Sequence, residues 1–255
     1  SAADQMAALA RARALLAAAR RVCVLTGAGV STDSGIPDFR GPNGLWTRHP
    51  ETARSSTLAH YLGSREARVE AWRRRASARS AAPQPNSGHL ALLELERRGR
   101  LLALVTQNVD GLHLDAGHSP GLVIELHGTL RRYRCLNCGL DGPMAAVLER
   151  VRHGEEDPDC PACGGILKSA AISFGQPLDR RALETAERAA RECDLFLAVG
   201  TRLEVFPAAE LPLLALRERL PLVVLNEEPT RCDARASVVL RGRTGELLPR
   251  LVEGV

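Results

Sequence analysis

Five short apolar runs, each followed by glycine or a polar residue, constrain the fold most strongly. They begin at Val22, Leu101, Leu122, Leu195 and Leu222. Apolar runs of four or five residues without alternation are typical of strands that are buried on both faces, and such strands belong to parallel sheets. The runs therefore predict an α/β protein with a parallel sheet at its centre.

Helical stretches lie between these runs. Asn86 or Ser87 can cap a helix that runs to Arg98, and Asp179 can cap one that runs to Arg191, because their side-chain oxygens accept hydrogen bonds from free backbone N–H groups. Strands that alternate with helices predict a doubly wound sheet. In such a fold the polar residues that follow the strands share one crevice, where ligands bind.

Two stretches interrupt the alternation. Residues 41–85 combine Gly, Pro and Ser with an arginine-rich helical piece, and residues 132–168 hold four cysteines among Gly and Pro. We interpret the first as a loop and helical insertion and the second as a metal module, which together form a smaller lobe. The segments 1–40, 86–131 and 169–255 then build the sheet domain.

Composition excludes several classes of protein. Hydrophobic residues make up 45% and charged residues 25%, with a net charge of +4, which is unlike a disordered or fibrous chain. Aromatic residues make up only 3%, which argues against platforms that stack single-stranded bases. No apolar run reaches the roughly 20 residues that a membrane-spanning helix needs. We therefore expect a cytoplasmic protein with no membrane partner and no specific nucleic-acid partner.

Four of the seven cysteines form two CxxC pairs. Cys135 and Cys138 are separated from Cys160 and Cys163 by 21 residues, a spacing by which four thiolates enclose one tetrahedral zinc ion. Four sulfur ligands leave no open coordination position, so we expect one structural Zn²⁺ per chain. A zinc ribbon that binds nucleic acid is the alternative, although the segment lacks a concentrated basic face. The other cysteines are predicted to be small buried hydrophobic residues: Cys23, Cys193 and Cys232.

A glycine-containing turn follows the first run. Gly27 and Gly29 lie between a buried strand and a polar stretch, where backbone N–H groups at a helix start can bind a pyrophosphate. The dinucleotide-binding pattern GxGxxG would require glycine at position 32, which is Thr32. The turn alone is compatible either with a nucleotide site or with a plain tight turn.

The sequence after this turn resembles the opening motif of the sirtuins, which are NAD-dependent protein lysine deacylases. The matching residues are 27–31 and 34–40. Further motifs follow in the order of that family at 106–113, 125–128, the two CxxC pairs, 174–175, 200–201 and Asn226. The resemblance implies a Rossmann-like domain with a small zinc-binding lobe, NAD in the cleft between them, and acylated-lysine proteins or peptides as substrates.

The resemblance also implies roles for individual residues. His127 matches the catalytic histidine, which takes a proton from a ribose hydroxyl during transfer of the acyl group to ADP-ribose, a task suited to a side chain that titrates near neutrality. Asn108 and Asp110 match residues that contact nicotinamide and its ribose, and Phe39 matches a residue that shields the reactive sugar carbon. The implied cofactor-binding residues are Gly27, Ala28, Gly29, Ser31, Asp38, Phe39, Arg40, Gln107, Asn108, Asp110, Gly200, Thr201, Asn226, Glu227 and Thr244.

Outside that context a histidine at a strand end is more often structural. We expect His113 to serve packing or helix capping, and we interpret the histidines other than His113 and His127 as surface residues. Arg202 stands where sirtuins usually have serine, so it either reaches a phosphate or turns outward.

Substrate contacts are implied at two strips that pair with the substrate peptide as an added strand. Sirtuins that prefer acidic acyl groups carry a Tyr and an Arg three positions apart, and the matching positions are Ala71 and Arg74. Arg74 could pair with a carboxylate, although a run of three arginines is typical of a solvated helix face. Ala71 would widen the pocket for bulky acyl groups. The residues of the two strips are Ile172, Phe174, Gly175, Leu203 and Val205.

Residues 229–231 and 245–249 most resemble the class II branch of the sirtuins, and within it a bacterial homologue of the mitochondrial lipoamidase type. Three alternatives to a deacylase stay open. The first is a protein ADP-ribosyltransferase that uses the same NAD site. The second is a nicotinamide dehydrogenase, and the third is a zinc-ribbon binding module with a vestigial NAD site.

Overall fold

The computed structural model describes residues 2–38, 44–77 and 82–255. Its strands are β1 Val22–Thr26, β2 Leu101–Thr106, β3 Val123–Glu125, β4 Arg132–Cys135, β5 Asp141–Pro143, β6 Leu167–Ser169, β7 Leu195–Val199, β8 Leu222–Asn226 and β9 Val238–Arg241. Its helices are α1 Ala2–Ala18, α2 Leu45–Arg48, α3 Glu51–Ser55, α4 Leu58–Gly63, α5 Arg65–Ser77, α6 Ser87–Arg97, α7 Leu112–Ala116, α8 Met144–Arg152, α9 Arg180–Glu192, α10 Leu211–Arg217 and α11 Thr244–Val252.

A six-stranded parallel sheet in the order β3-β2-β1-β7-β8-β9 forms the centre of the molecule. This confirms the predicted α/β fold. The five predicted runs all lie in this sheet, and β9 was not predicted because Val238-Val239-Leu240 is too short an apolar run to stand out. The chain order reverses between β1 and β7, so the crevice of the fold opens at the carboxyl ends of these two strands.

Alternate residues of β1 pack on opposite faces of the sheet. Val22 and Val24 contribute to a core formed with α1, α6 and α11, whereas Cys23 and Leu25 contribute to a core formed with α9 and α10. Cys23, like Cys193 and Cys232, is buried as predicted. Burial of both faces explains the absence of alternation in the strand sequences.

The capping predictions for two helices are confirmed. The Asn86 side chain accepts a hydrogen bond from the Gly88 N–H, and the His89 side chain accepts one from the Asn86 N–H, which completes a reciprocal cap at the start of α6. The Asp179 side chain accepts from the Ala182 N–H at 2.8 Å at the start of α9.

The metal module and α5 share a small core of their own. Trp72 of α5 is fully buried with Cys135, Cys160 and Leu167 of the module. Arg68 of α5 forms an ion pair of 2.9 Å with Asp157, and both side chains are only about one seventh exposed, at 13% and 15%. These contacts tie the helical insertion to the three-stranded antiparallel sheet β5-β4-β6.

Lys168 of β6 is also buried in this part of the molecule. Its Nζ donates hydrogen bonds to the carbonyl oxygens of Ser169 and Ala171. Burial, together with the positive charge of the nearby Arg75, lowers the pKa of this lysine to about 8. Over the described ranges, the helices are all too short or too polar to cross a lipid bilayer.

Candidate functional site

Side chains at the carboxyl ends of β1 and β2 are joined by short hydrogen bonds. The Asn108 Nδ2 donates to the Gly27 carbonyl at 3.0 Å and to the Ser31 Oγ at 3.3 Å. The Ser31 hydroxyl donates to the Asp110 Oδ2 at 2.7 Å, and the other carboxylate oxygen accepts the Leu112 N–H at 2.9 Å. The glycine turn and the loop after β2 therefore form one hydrogen-bonded unit.

Gln107 extends this unit to β7. Its Nε2 donates to the Thr201 Oγ1 at 2.9 Å, and its backbone N–H donates to the Thr26 carbonyl at 3.0 Å. The fold thus brings together five predicted site residues from three separate motifs: Ser31, Gln107, Asn108, Asp110 and Thr201.

The glycines of the turn are required by a close approach to the end of β7. A Cβ on Gly27 would lie 2.7 Å from the Gly200 carbonyl oxygen, and a Cβ on Gly29 would lie 2.8 Å from the Gly200 Cα. Gly200 has φ +61, and its own Cβ would lie 2.6 Å from the Val30 nitrogen. The packing of the two loops against each other therefore requires glycine at these positions. This requirement is separate from any close approach of a bound phosphate. Ala28 opens the short 3₁₀ turn Ala28–Val30 at the same point.

His127 lies next to this unit. Its Nδ1 is 3.1 Å from the Gln107 carbonyl oxygen, and since a carbonyl only accepts, Nδ1 carries the hydrogen and Nε2 carries a lone pair. Burial lowers the pKa of His127, and the bond to Gln107 opposes that shift. The His127 carbonyl accepts the Ile172 N–H at 2.7 Å. Gly128 has φ +72, and a Cβ there would lie 2.0 Å from the Ala170 oxygen, so only glycine fits after the histidine.

The ends of β8 and β9 lie on the other side of the glycine turn. Asn226 is buried and its Nδ2 donates to the Glu228 carbonyl at 2.9 Å, while Glu227 is exposed. Arg202 forms ion pairs with Glu204 and Glu228 at 3.2 and 2.9 Å. Thr244 donates its hydroxyl to the Gly29 carbonyl at 2.9 Å, so it holds the glycine turn.

In the predicted peptide-binding strips, some backbone groups already form hydrogen bonds with other residues of the protein. Phe174 is 43% exposed, and its backbone N–H and carbonyl pair with Ser56 and Leu58. Leu203 has φ 59 and a buried side chain, so at this residue the backbone departs from the extended conformation of a strand. Val205 is half-buried and Gly175 is exposed with φ +82.

Arg74 is exposed on α5, whereas its neighbour Arg75 turns inward, over the Trp72 ring and within 3.4 Å of the Ser169 Oγ. Asp38 is half-buried and its carbonyl accepts the Leu45 N–H. Phe39 and Arg40 lie outside the described residues.

Two further site neighbours were not found by sequence reasoning. The interpretation of the remaining histidines as surface residues is wrong for His89 and His118, which are both buried. His89 lies between the cap of α6 and the Ser31 hydroxyl, and His118 pairs with Glu96 at 2.6 Å. A single histidine carries no periodic signal, although the spacing of Asn86 and His89 matches a capping box.

The four cysteines of the CxxC pairs form a compact cluster. Their Sγ atoms all lie within 4.8 Å of one another, with Cys135 and Cys163 3.6 Å apart and Cys138 and Cys160 3.7 Å apart. Zn–S bonds of about 2.3 Å in a tetrahedron place sulfurs roughly 3.8 Å apart, so the cluster fits a zinc ion. Hydrogen bonds from the Asn137 side chain and the Gly165 backbone lower the pKa of Cys163; zinc binds cysteine in the thiolate form.

The parallel sheet carries a glycine turn where its chain order reverses, and an amide, a carboxylate and an imidazole follow its strands. A four-cysteine module is joined to this sheet. Together these features define a dinucleotide-binding α/β protein with a structural zinc site. Comparisons with known proteins agree. The sequence profile of the Sir2 family matches residues 27–207. NAD-dependent protein deacetylase 2 of Streptomyces coelicolor is 49% identical over 234 residues, which cover 92% of this chain and 97% of that protein.

Solved structures agree as well. A structure that describes the mechanism and regulation of Sir2 enzymes is 36% identical with a TM-score of 0.85, and the match covers 96% of both chains. Sir2Tm bound to a propionylated peptide is 30% identical with a TM-score of 0.83, over 96% of this chain and 97% of that one. The chain belongs to the Sir2 family, the sirtuins.

Proposed function

We propose that this protein is an NAD-dependent protein lysine deacylase that transfers the acyl group of a modified lysine to ADP-ribose and releases nicotinamide. The observation that carries the proposal is the position of His127, whose Nδ1 is held by the carbonyl of Gln107 at 3.1 Å, in the loop that also presents Asn108 and Asp110. An imidazole so held carries its hydrogen on Nδ1 and leaves Nε2 as the basic nitrogen. NAD supplies the ribose carbon that accepts the acyl oxygen as nicotinamide leaves.

Each residue of this rim has a task that follows from its bonds. Asn108 uses its side-chain N–H groups on Gly27 and Ser31, which leaves its Oδ1 to accept a hydrogen bond from the carboxamide of nicotinamide. Asp110 is oriented by Ser31 and Leu112 and would accept bonds from ribose hydroxyls. His127 takes a proton from a ribose hydroxyl, and burial favours the neutral ring that can do so.

The zinc ion would be held by Cys135, Cys138, Cys160 and Cys163 and would supply no step of the reaction, because four thiolates saturate its coordination. When bound, it would link the end of β4 to the segment that precedes β6. The segment that follows β6 runs past Ala170, next to Gly128, and so the module supports the loop that carries His127.

The acyl preference is a finer part of the proposal. Membership of the class II branch is supported by residues 229–231 and 245–249, and Ala71 supports acceptance of lipoyl or long-chain groups. Arg74 is proposed to pair with carboxylate-bearing acyl chains. Peptide backbone pairing at Ile172, Gly175 and Val205, and cofactor contacts at Asp38, Phe39, Arg40, Asn226, Glu227 and Thr244, also belong to the proposal.

The deciding experiment incubates the protein with NAD and acetyl-, succinyl-, glutaryl-, lipoyl- and long-chain-acyl-lysine peptides. We expect nicotinamide and O-acyl-ADP-ribose in equal amounts, and formation of each only when both substrates are present. Acyl release without NAD would contradict the proposal. Transfer of label from radioactive NAD to a protein acceptor, without deacylation, would identify an ADP-ribosyltransferase instead.

A further inference from the structure

Three buried histidines that the proposed reaction does not use lie behind the glycine turn. The ring centroids of His89 and His113 are 4.9 Å apart, and those of His113 and His118 are 5.8 Å apart. All three side chains are buried. Polar rings are placed in such positions at a cost unless they make hydrogen bonds, so their partners indicate what the cluster does.

His113 stands at the head of a chain of hydrogen bonds that ends at Asn108. The His113 Nε2 is 2.9 Å from the Thr26 Oγ1, which lies 2.8 Å from the Thr106 Oγ1. The Thr106 Oγ1 accepts the backbone N–H of Asn108 at 3.0 Å. All four residues are buried, so water does not compete for these bonds.

The direction of the chain follows from the other ring nitrogen. The His113 Nδ1 is buried and makes no hydrogen bond within the described parts of the chain. Burial holds the pKa of His113 well below its ordinary value, so the ring is neutral and has a single N–H. An unpaired buried N–H is more costly than an unpaired lone pair, so the hydrogen belongs on Nε2 and is donated to Thr26. Thr26 then donates to Thr106, whose oxygen is free to accept from Asn108.

We propose that His113 is a positioning residue for Asn108, acting through the hydroxyls of Thr26 and Thr106. The chain fixes the backbone nitrogen of Asn108 while Gly27 and Ser31 fix its side chain. Two independent anchors hold the carboxamide that is proposed to meet nicotinamide. The inference rests on the proposed function for its catalytic consequence, although the hydrogen-bond chain itself is testable without NAD.

The first test uses the ligand-free protein. Backbone amide exchange of Asn108, measured by ¹⁵N NMR, should be slow in the wild type and faster in His113→Asn, whose amide is too short to reach Thr26. His113→Gln carries an N–H at about the reach of the imidazole Nε2 and should restore protection. Thr26→Ser keeps the hydroxyl and should preserve protection, whereas Thr26→Val should lose it. If His113→Asn does not fold, the Thr26 pair decides the question alone.

The second test asks whether His113 acts through Thr26. His113→Asn is expected to lower kcat/KM for NAD by about 10- to 100-fold, the effect of a displaced contact at a reacting centre, with NAD affinity measured by calorimetry falling in parallel. In a Thr26→Val background the same substitution should cause no further loss. Multiplicative losses, or unchanged exchange of the Asn108 amide in both His113→Asn and Thr26→Val, would overturn the inference. An inactive wild type with intact protection would count against the proposed function only.

Discussion

The Nδ1 of His127 and the carbonyl oxygen of Gln107 are 3.1 Å apart, which fixes the tautomer of the imidazole from the loop that carries Asn108. Burial lowers the pKa of His127 despite this bond. The ring therefore stays neutral and basic to a lower pH than an ordinary histidine of pKa about 6.5. We expect kcat to be constant near neutrality and to fall only as the pH drops below that value, a profile checked by nicotinamide release. A fall that begins above pH 7 would contradict this assignment.

Replacement of His127, the proposed base, should lower turnover strongly without unfolding the protein. His127→Ala is expected to lower kcat by about 100- to 10,000-fold, the usual contribution of a general base. The matched control is His153→Ala, since His153 is an exposed histidine at the end of α8 that is remote in sequence from the strand-end loops. Circular dichroism of both variants should equal that of the wild type, and retention of activity by His127→Ala would remove the histidine from the mechanism.

Loss of the zinc site should disorder the core around Trp72. Cys163→Ala leaves three thiolates, and we expect less than one zinc per chain by elemental analysis, together with a lower melting temperature. Trp72 is fully buried with Cys135 and Cys160, so its emission should shift to the red. Cys232→Ala removes a buried thiol outside the cluster and should keep its zinc. Full zinc content in Cys163→Ala would show that this cysteine is not a ligand.

Gly128 should be the least replaceable glycine near the site. Alanine at Gly128 combines a left-handed φ of +72 with a clash against the Ala170 oxygen, so we expect loss of stability well above the roughly 1–2 kcal/mol of the conformation alone, and loss of deacylation. Gly99→Ala is the matched control, with φ +66 and open space around its Cβ. Denaturant unfolding should separate the two variants, and equal destabilisation would mean that the clash is relieved by local movement.

Acidic acyl groups test Arg74. If its guanidinium pairs with a carboxylate, Arg74→Met should raise KM for succinyl- and glutaryl-lysine peptides and leave acetyl-lysine unaffected. Arg73→Met is the control, because Arg73 is exposed on the same helix and pairs with Glu156 at 2.6 Å. An equal effect of the two substitutions would assign Arg74 to the solvated face of α5.

The sheet could be predicted from the sequence because strands that are buried on both faces consist of consecutive apolar residues. The runs that became β1, β2, β3, β7 and β8 are apolar throughout most of their length, and the caps at Asn86 and Asp179 depend on residues next to the helix ends. The motifs also predicted which strand-end residues would meet, since parallel strands share an edge.

Contacts between segments that are distant in the sequence produce no such local pattern. The mutual approach of Gly27, Gly29 and Gly200 depends on the neighbouring positions of β1 and β7, which no local pattern encodes. The burial of His89 and His118 depends in the same way on the loop and helix that cover them. The orientations of Arg74 and Arg75 on α5 follow from the packing of that helix on the metal module, and three consecutive arginines do not reveal which of them turns inward.

The burial of Lys168 affects whether the protein can itself be acylated on lysine. It is the only lysine of the 255 residues, and its ammonium group is enclosed and bonded to main-chain oxygens. The positively charged side chains on the surface of this chain are arginines, which carry guanidinium groups and no primary amine. Within these 255 residues, a reactive acyl donor therefore meets no exposed lysine side chain.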